Sequence, residues 1–145
     1  MKALLNFIDT TFDNPDLGKL VLRVSFAAMF LLHGIHKVFG GTAFIQGLLE
    51  QHGVPGFVAY GVYLGEVVAP ILLILGLFTR VAAIFVIGTC GFVFWLMHGG
   101  DLFTLNKLGA WAAEDIGVYL FSAIAILLLG PGKYALEGTK RSSSI

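Results

Sequence analysis

Cysteine is almost missing from this chain: it occurs once in 145 residues, as Cys90, inside an apolar run. One thiol cannot form a disulfide within the chain, and no Cys-x-x-Cys pair exists. A dithiol relay of the kind that membrane disulfide-generating enzymes use is therefore excluded. The plain reading of Cys90 is a small buried apolar residue. Charge is also scarce, at 12% of residues. No basic cluster is interleaved with exposed aromatics, which removes nucleic acid as a partner. No Gly-x-Gly-x-x-Gly follows a strand, so the chain carries no flavin or nicotinamide fingerprint; electrons for any redox chemistry must come from a partner or a bound cofactor. Nor does the N-terminus read as a cleaved signal. Asp9, Asp13 and Asp16 precede the first apolar run, and a small-residue cleavage site is lacking.

Apolar residues take the space that charge leaves, at 57% of the chain. Four runs approach the ~20 residues needed to cross lipid: Leu17–Phe39, Gly56–Phe78, Val81–His98 and Ala112–Gly130. The expected fold is all-α: a single domain over residues 1–145, folded as a four-transmembrane-helix antiparallel bundle. Lys2, Lys19, Arg23, Arg80, Lys133, Lys140 and Arg141 fall at the termini and in the turn between spans two and three, against Lys37 and Lys107 in the other two connections. The positive-inside rule then places both termini in the cytoplasm. Met1, Leu4, Leu5, Ile8 and Phe12 recur at helical spacing and predict an interfacial amphipathic helix at the N-terminus. A second one, between spans one and two, carries Phe44, Ile45, Leu48 and Leu49 opposite Gln46, Glu50 and Gln51; it should lie on the outer surface, where it can cover the bundle mouth.

Punctuation along the chain agrees with this plan. Asn14-Pro15-Asp16 reads as a helix start, with Asn as cap, Pro in the first position and Asp complementing the dipole. Gly40-Gly41 should stop span one, and Gly53-Val54-Pro55-Gly56 should break the chain before span two. In Gly76-Leu77-Phe78-Thr79-Arg80, Gly76 is expected to end one helix and Thr79 to cap the next. Asp101–Trp111 forms the second outer loop, Gly130-Pro131-Gly132 ends span four, and Ser142–Ser144 reads as a frayed tail.

Glu66 is the most informative residue. It sits mid-way along a run that has no other charge, ~14 Å from the outer end of its helix. An ionisable group at that depth costs about 2.5–3.5 kcal/mol or more, so it should face a partner, a water-filled cavity or a ligand. Alternating helix directions bring His33, His36, Lys37, His98, Trp111, Glu114 and Asp115 together in the outer half, with Glu66 as the floor. His33, His36 and Lys37 share one side of their helix. Asp115, Tyr119 and Ser122 line another and continue a polar track inward. Pro70 cannot donate to the Glu66 carbonyl, which predicts a free acceptor and a kink beside the carboxylate. Gly34, Gly61, Gly65, Gly88, Gly91 and Gly117 permit close helix packing. Arg23 and Arg80 are further candidates for ligand contact; their plain alternatives are snorkelling to headgroups for Arg23 and a topology signal for Arg80.

Taken in order, Arg23, His33-Gly34-Ile35-His36-Lys37, Glu66, Gly76-Leu77-Phe78-Thr79-Arg80, His98, Glu114 and Gly130-Pro131-Gly132 resemble the DoxX family of small bacterial inner-membrane proteins. The resemblance covers nearly the whole chain. It implies a four-helix membrane domain and kinship with the quinone-linked subunit of archaeal thiosulfate:quinone oxidoreductase. The chain departs from the family's Ser-Leu-Asp-like stretch after Gly-Pro-Gly, where it has Ala135-Leu136-Glu137.

The leading expectation is a redox-associated subunit of the inner membrane. It would bind a quinone-like molecule in an outer-facing interhelical pocket, since an apolar pocket with few converging polar groups suits a small ligand. Glu66, His33 and Glu114 are the candidate proton-handling residues, with His98 beside them. Arg23, His36, Lys37, Arg80, His98, Trp111, Asp115 and Tyr119 are the candidate ligand contacts. Two alternatives stay open. One is haem or metal binding through His33, His36 and His98, or a His/carboxylate metal site completed by Glu114 and Asp115. The other is a non-enzymatic transporter or channel component, or a membrane scaffold. Expected partners are membrane lipids, a soluble or membrane redox protein, and a second copy of the chain.

Overall fold

A computed structural model describes residues 1–100 and 102–138. Asp101, Lys140, Arg141 and the expected tail at Ser142–Ser144 lie outside the described residues. Among the described residues the main helices are α1 (Lys2–Phe12), α2 (Pro15–Gly40), α3 (Ala43–Gln51), α4 (Gly56–Leu75), α5 (Thr79–His98) and α6 (Glu114–Leu129). Among the described residues there is no β-strand, and Leu105 and Trp111 form one isolated bridge. Among the described residues three helices, α2, α4 and α5, are long and apolar enough to cross a membrane. The fourth apolar run is helical only from Glu114, because the chain before it closes a turn in which the Asn106 side chain accepts from the Leu108 and Ala110 N–H groups. The 16 residues of α6 span about 24 Å at 1.5 Å per residue.

The helix ends follow local chemistry, with one correction. Asn14 caps α2 by accepting from the Leu17 N–H at 3.1 Å, with Pro15 in the first turn. Gly41 and Gly76 end α2 and α4 at positive φ, where a Cβ would be strained. Thr79, expected as the cap of α5, is instead its first helical residue: Phe78 holds the N-cap position at φ 48° and offers no side-chain cap. The carboxylate of Glu137 supplies the missing acceptor, taking the Thr79 N–H at 3.0 Å, while the Glu137 N–H donates to the Gly76 carbonyl.

Helix α4 is not uniform. It opens as a 3-10 turn (Gly56–Tyr60), passes through Gly61–Tyr63, widens into a π segment (Leu64–Val68) and closes as an α-helix (Ala69–Leu75). The widening is the backbone's answer to Pro70: with no N–H at that position, the Ala69 N–H reaches back to the Leu64 carbonyl and the ladder slips by one residue.

Helices α2, α4, α5 and α6 pack as a bundle around Phe26, Ala27, Phe30, Leu73, Val86, Cys90 and Ile126. Cys90 is fully buried, as expected. The six glycines noted above divide into two sets. Gly34 packs on the Glu66 carbonyl, Gly65 on Thr89 and Gly117 on the Trp111 ring, whereas nothing stands within 4 Å of where a Cβ would lie on Gly61, Gly88 or Gly91. Helix α3 folds back so that Ile45 and Leu49 pack with Ala59, Val62 and Leu96, covering the ends of α4 and α5. Helix α1 buries none of its residues and leaves Met1, Leu4, Leu5, Phe7, Ile8 and Phe12 uncovered, the arrangement an interface-lying helix requires.

Arg23 and Arg80 serve helix ends away from the cavity. Arg23 is 1% exposed and therefore does not snorkel. Its Nη1 donates to the carbonyls of Leu73 and Ile74, and its Nη2 to that of Tyr134 at 3.1 Å. Arg80 Nε donates to the Leu127 carbonyl at 3.1 Å. Arg23 thus supplies donors to carbonyls in the last turn of α4 and to the turn at Tyr134, and Arg80 to a carbonyl in the last turn of α6.

Candidate functional site

The deepest polar contact joins α2 to α4. Lys37 Nζ lies 2.6 Å from Glu66 Oε1, and the two side chains are 25% and 4% exposed respectively. Two features set this geometry. Gly34, one turn before Lys37, lets the α2 backbone lie against the Glu66 carbonyl. The π segment turns Glu66 toward α2, and the Tyr63 hydroxyl donates to the Lys37 carbonyl at 3.1 Å, tying the two helices at the same level. An ion pair this buried lowers the cost of each charge only where further hydrogen bonds satisfy the remaining lone pairs. Here Glu66 Oε2 is buried and has no hydrogen-bond partner among the protein's own groups.

Glu66 also lines a partly enclosed cavity of about 180 Å³, together with Phe30, His33, Lys37, Val93, Met97, His98, Asp115, Ile116 and Tyr119. It draws on the C-terminal turns of α2 and α5, the middle of α4 and the first turns of α6, so α6 must run opposite to α2 and α5. His98 brings a second unsatisfied atom, a buried Nδ1 without a partner. One wall is aromatic. The His33 and Tyr119 rings meet edge-on at 5.4 Å, and Phe30 lies 5.1 Å from Tyr119. His33 Nδ1 donates to the Met29 carbonyl at 3.1 Å, which fixes its ring. A wider, open cleft of about 480 Å³ adjoins the cavity. It shares Asp115 and Tyr119 and adds Met29, Asn106, Trp111 and Glu114.

Of the candidates read from the sequence, His33, Lys37, Glu66, His98, Asp115 and Tyr119 meet at the partly enclosed cavity. Trp111 and Glu114 stand at the adjoining cleft. Trp111 packs on Gly117 and donates from its indole N–H to the Leu102 carbonyl at 2.8 Å. His36 lies outside the cavity, in a shallow groove with Leu32, His33 and Lys37. Arg23 and Arg80 are not brought to the site, because each is committed to helix-end carbonyls elsewhere. Helix α3 contributes nothing to the cavity wall. Among the described residues, no group of three or more His, Cys, Asp and Glu side chains gathers closely enough to hold a metal ion, so His33, His36 and His98 do not form a three-ligand set. Sequence reading missed Phe30, Val93, Met97 and Ile116, apolar liners that nothing marks in a chain this hydrophobic. Phe30 alone carried a signal, since it shares a helical face with His33 and Lys37.

A family model described as DoxX matches residues 18–99, which include Arg23, His33, Lys37, Glu66 and His98. The chain belongs to the DoxX family. Among its relatives, "Inner membrane protein YqjF" of Escherichia coli is 32% identical over 123 residues, covering 84% of this chain and 91% of that protein. "Putative oxidoreductase CatD" of Bacillus subtilis is 33% identical over 124 residues, covering 84% and 86%. "Inner membrane protein YphA" of Escherichia coli is 30% identical over 126 residues, covering 81% and 86%. No solved structure matches. Together with three helices fit to cross lipid, these relatives make this DoxX chain a bacterial inner-membrane protein.

Proposed function

We propose that this DoxX protein is a redox-associated membrane subunit that holds a quinone-like ring in the cavity beside Glu66. The observation that carries the reading is a pair of buried polar atoms without a protein partner, Glu66 Oε2 and His98 Nδ1, on two residues that line one aromatic-walled cavity. A buried polar atom without a partner costs about 1–3 kcal/mol, and a ligand that satisfies two of them recovers that cost on binding. A flat ring with oxygens at opposite ends suits the two atoms and the Phe30–His33–Tyr119 wall. In this reading Glu66 and His98 exchange protons with the ring oxygens, His33 and Tyr119 orient the ring, and Lys37 holds the carboxylate. Glu114 and Asp115 stand where protons pass between the cavity and the outer cleft. The printed name of the Bacillus relative supports a redox role. Electrons would reach the ring from a partner protein.

The same reading takes α6 as a fourth span, its short helix extended by Trp111–Ala113 and Gly130, with both termini cytoplasmic. The distribution of lysine and arginine supports that orientation, and it turns the cavity toward the outer face.

Purified protein in lipid nanodiscs, titrated with a short-tailed benzoquinone and its hydroquinone, tests the proposal. Saturable binding is expected, weakened about tenfold, or 1.4 kcal/mol, by Glu66→Gln for the hydroquinone and by His98→Ala for both forms. Absence of binding to the parent protein, or variants that bind like the parent, would overturn it.

A further inference from the structure

The two unpartnered atoms are not equivalent, and the difference bears on which form of the ligand the cavity holds. Glu66 is committed to Lys37 through Oε1 at 2.6 Å. Carboxylate oxygens in an ion pair offer lone pairs and no proton, so the unpartnered Oε2 can only accept. No protein donor reaches that oxygen: Lys37 closes on Oε1, and His33, His98 and Tyr119, which also line the cavity, make no hydrogen bond to Oε2. The second atom, His98 Nδ1, is indifferent by comparison, because an imidazole nitrogen donates or accepts according to its tautomer.

We infer that the cavity selects the hydroxylated, hydrogen-donating form of its ring ligand, a hydroquinone or comparable phenol, over the carbonyl form. This rests on the ring-binding proposal above. A hydroquinone places an O–H against Oε2 and its second hydroxyl against His98. A quinone places a carbonyl oxygen against Oε2, acceptor against acceptor, and leaves both unsatisfied. Sites built to hydrogen-bond a hydroxyl reject analogues that lack it far more strongly than apolar pockets reject a missing methylene. The size of the cavity agrees. At about 180 Å³ it is smaller than the roughly 300–1,000 Å³ of drug-sized sites, so it takes a single ring. A larger substituent has its exit past Tyr119 and Asp115 into the adjoining cleft.

The test compares, without oxygen, the affinities of the nanodisc-embedded protein for a short-tailed benzoquinone, its hydroquinone, and the dimethyl ether of that hydroquinone, which keeps the ring but has no donor. The hydroquinone is expected to bind at least about tenfold more tightly than either, which for a two-electron couple raises the potential of the bound ring by about 30 mV. Glu66→Gln should shift the preference toward the quinone, because an amide offers N–H donors. Binding of quinone equal to or tighter than hydroquinone by the parent protein would overturn the inference and leave the ring pocket standing. If no form binds, the pocket reading falls and the inference with it. The parent measurement alone decides, so a Glu66→Gln protein that failed to fold would not rescue either claim.

Discussion

Lys37 and Arg23 show how one helix uses two cations for different ends. Both lie on α2 and both could have been dismissed as interface anchors. Lys37 closes on a carboxylate; Arg23 closes on backbone. The Arg23 guanidinium meets carbonyls of Leu73, Ile74 and Tyr134, and its planar fork suits several acceptors at once. Arg23→Ala should therefore cost stability rather than ligand affinity, on the order of 3 kcal/mol for the loss of several charge-assisted bonds from a buried site. Arg23→Lys should recover only part of it. Cys90 gives the readout: it is the sole, fully buried thiol, so a thiol-reactive dye followed during heating reports unfolding. A parent-like melting temperature for Arg23→Ala would contradict the capping role. Glu66, Lys37, His33 and His98 were legible in the sequence because charge in an apolar run has few physical uses. The roles of Arg23 and Glu137 were not, because their partners lie 51 and 58 positions away in the chain. Nothing local distinguishes an arginine that caps carbonyls from one that reaches for headgroups.

Among the elements, α4 carries the most consequence. Its boundaries and apolar length could be read from Gly53–Gly56 and Gly76, and Pro70 announced a disturbed ladder. The form of the disturbance could not be read, because the π segment lies against distant residues of α2: Gly34 packs on the Glu66 carbonyl, and the Lys37 carbonyl accepts from Tyr63 just before the segment. π segments often occur at functional sites, and this one sets the direction of the Glu66 side chain. Pro70→Ala restores an N–H and favours a regular helix, which should raise or preserve thermal stability. At the same time it should rotate Glu66 away from Lys37 and weaken hydroquinone binding about tenfold, or 1.4 kcal/mol. Binding and melting temperature measured on the same preparation separate the two effects. Parent-like binding would show that the π segment does not aim the carboxylate.

At the scale of the whole molecule, alternating helix direction does most of the work. A bundle with short links at Gly41 and Gly76–Phe78 brings the ends of α2 and α5 beside the start of α6 and the middle of α4, and side chains from positions 33 to 119 then share one cavity. That much followed from the order of apolar runs and polar residues. The short α6, the capping by the segment around Tyr134 and Glu137, and the division between partly enclosed cavity and open cleft did not, since each depends on packing between distant parts of the chain. The most direct measurement is a structure of the protein in native-like lipid with a hydroquinone bound. A ring should lie between α2, α4, α5 and α6, with one oxygen within hydrogen-bonding distance of Glu66 Oε2, the other at His98 Nδ1, and the Lys37–Glu66 pair intact. A ring bound elsewhere, or a Glu66 carboxylate turned to the lipid and parted from Lys37, would contradict it.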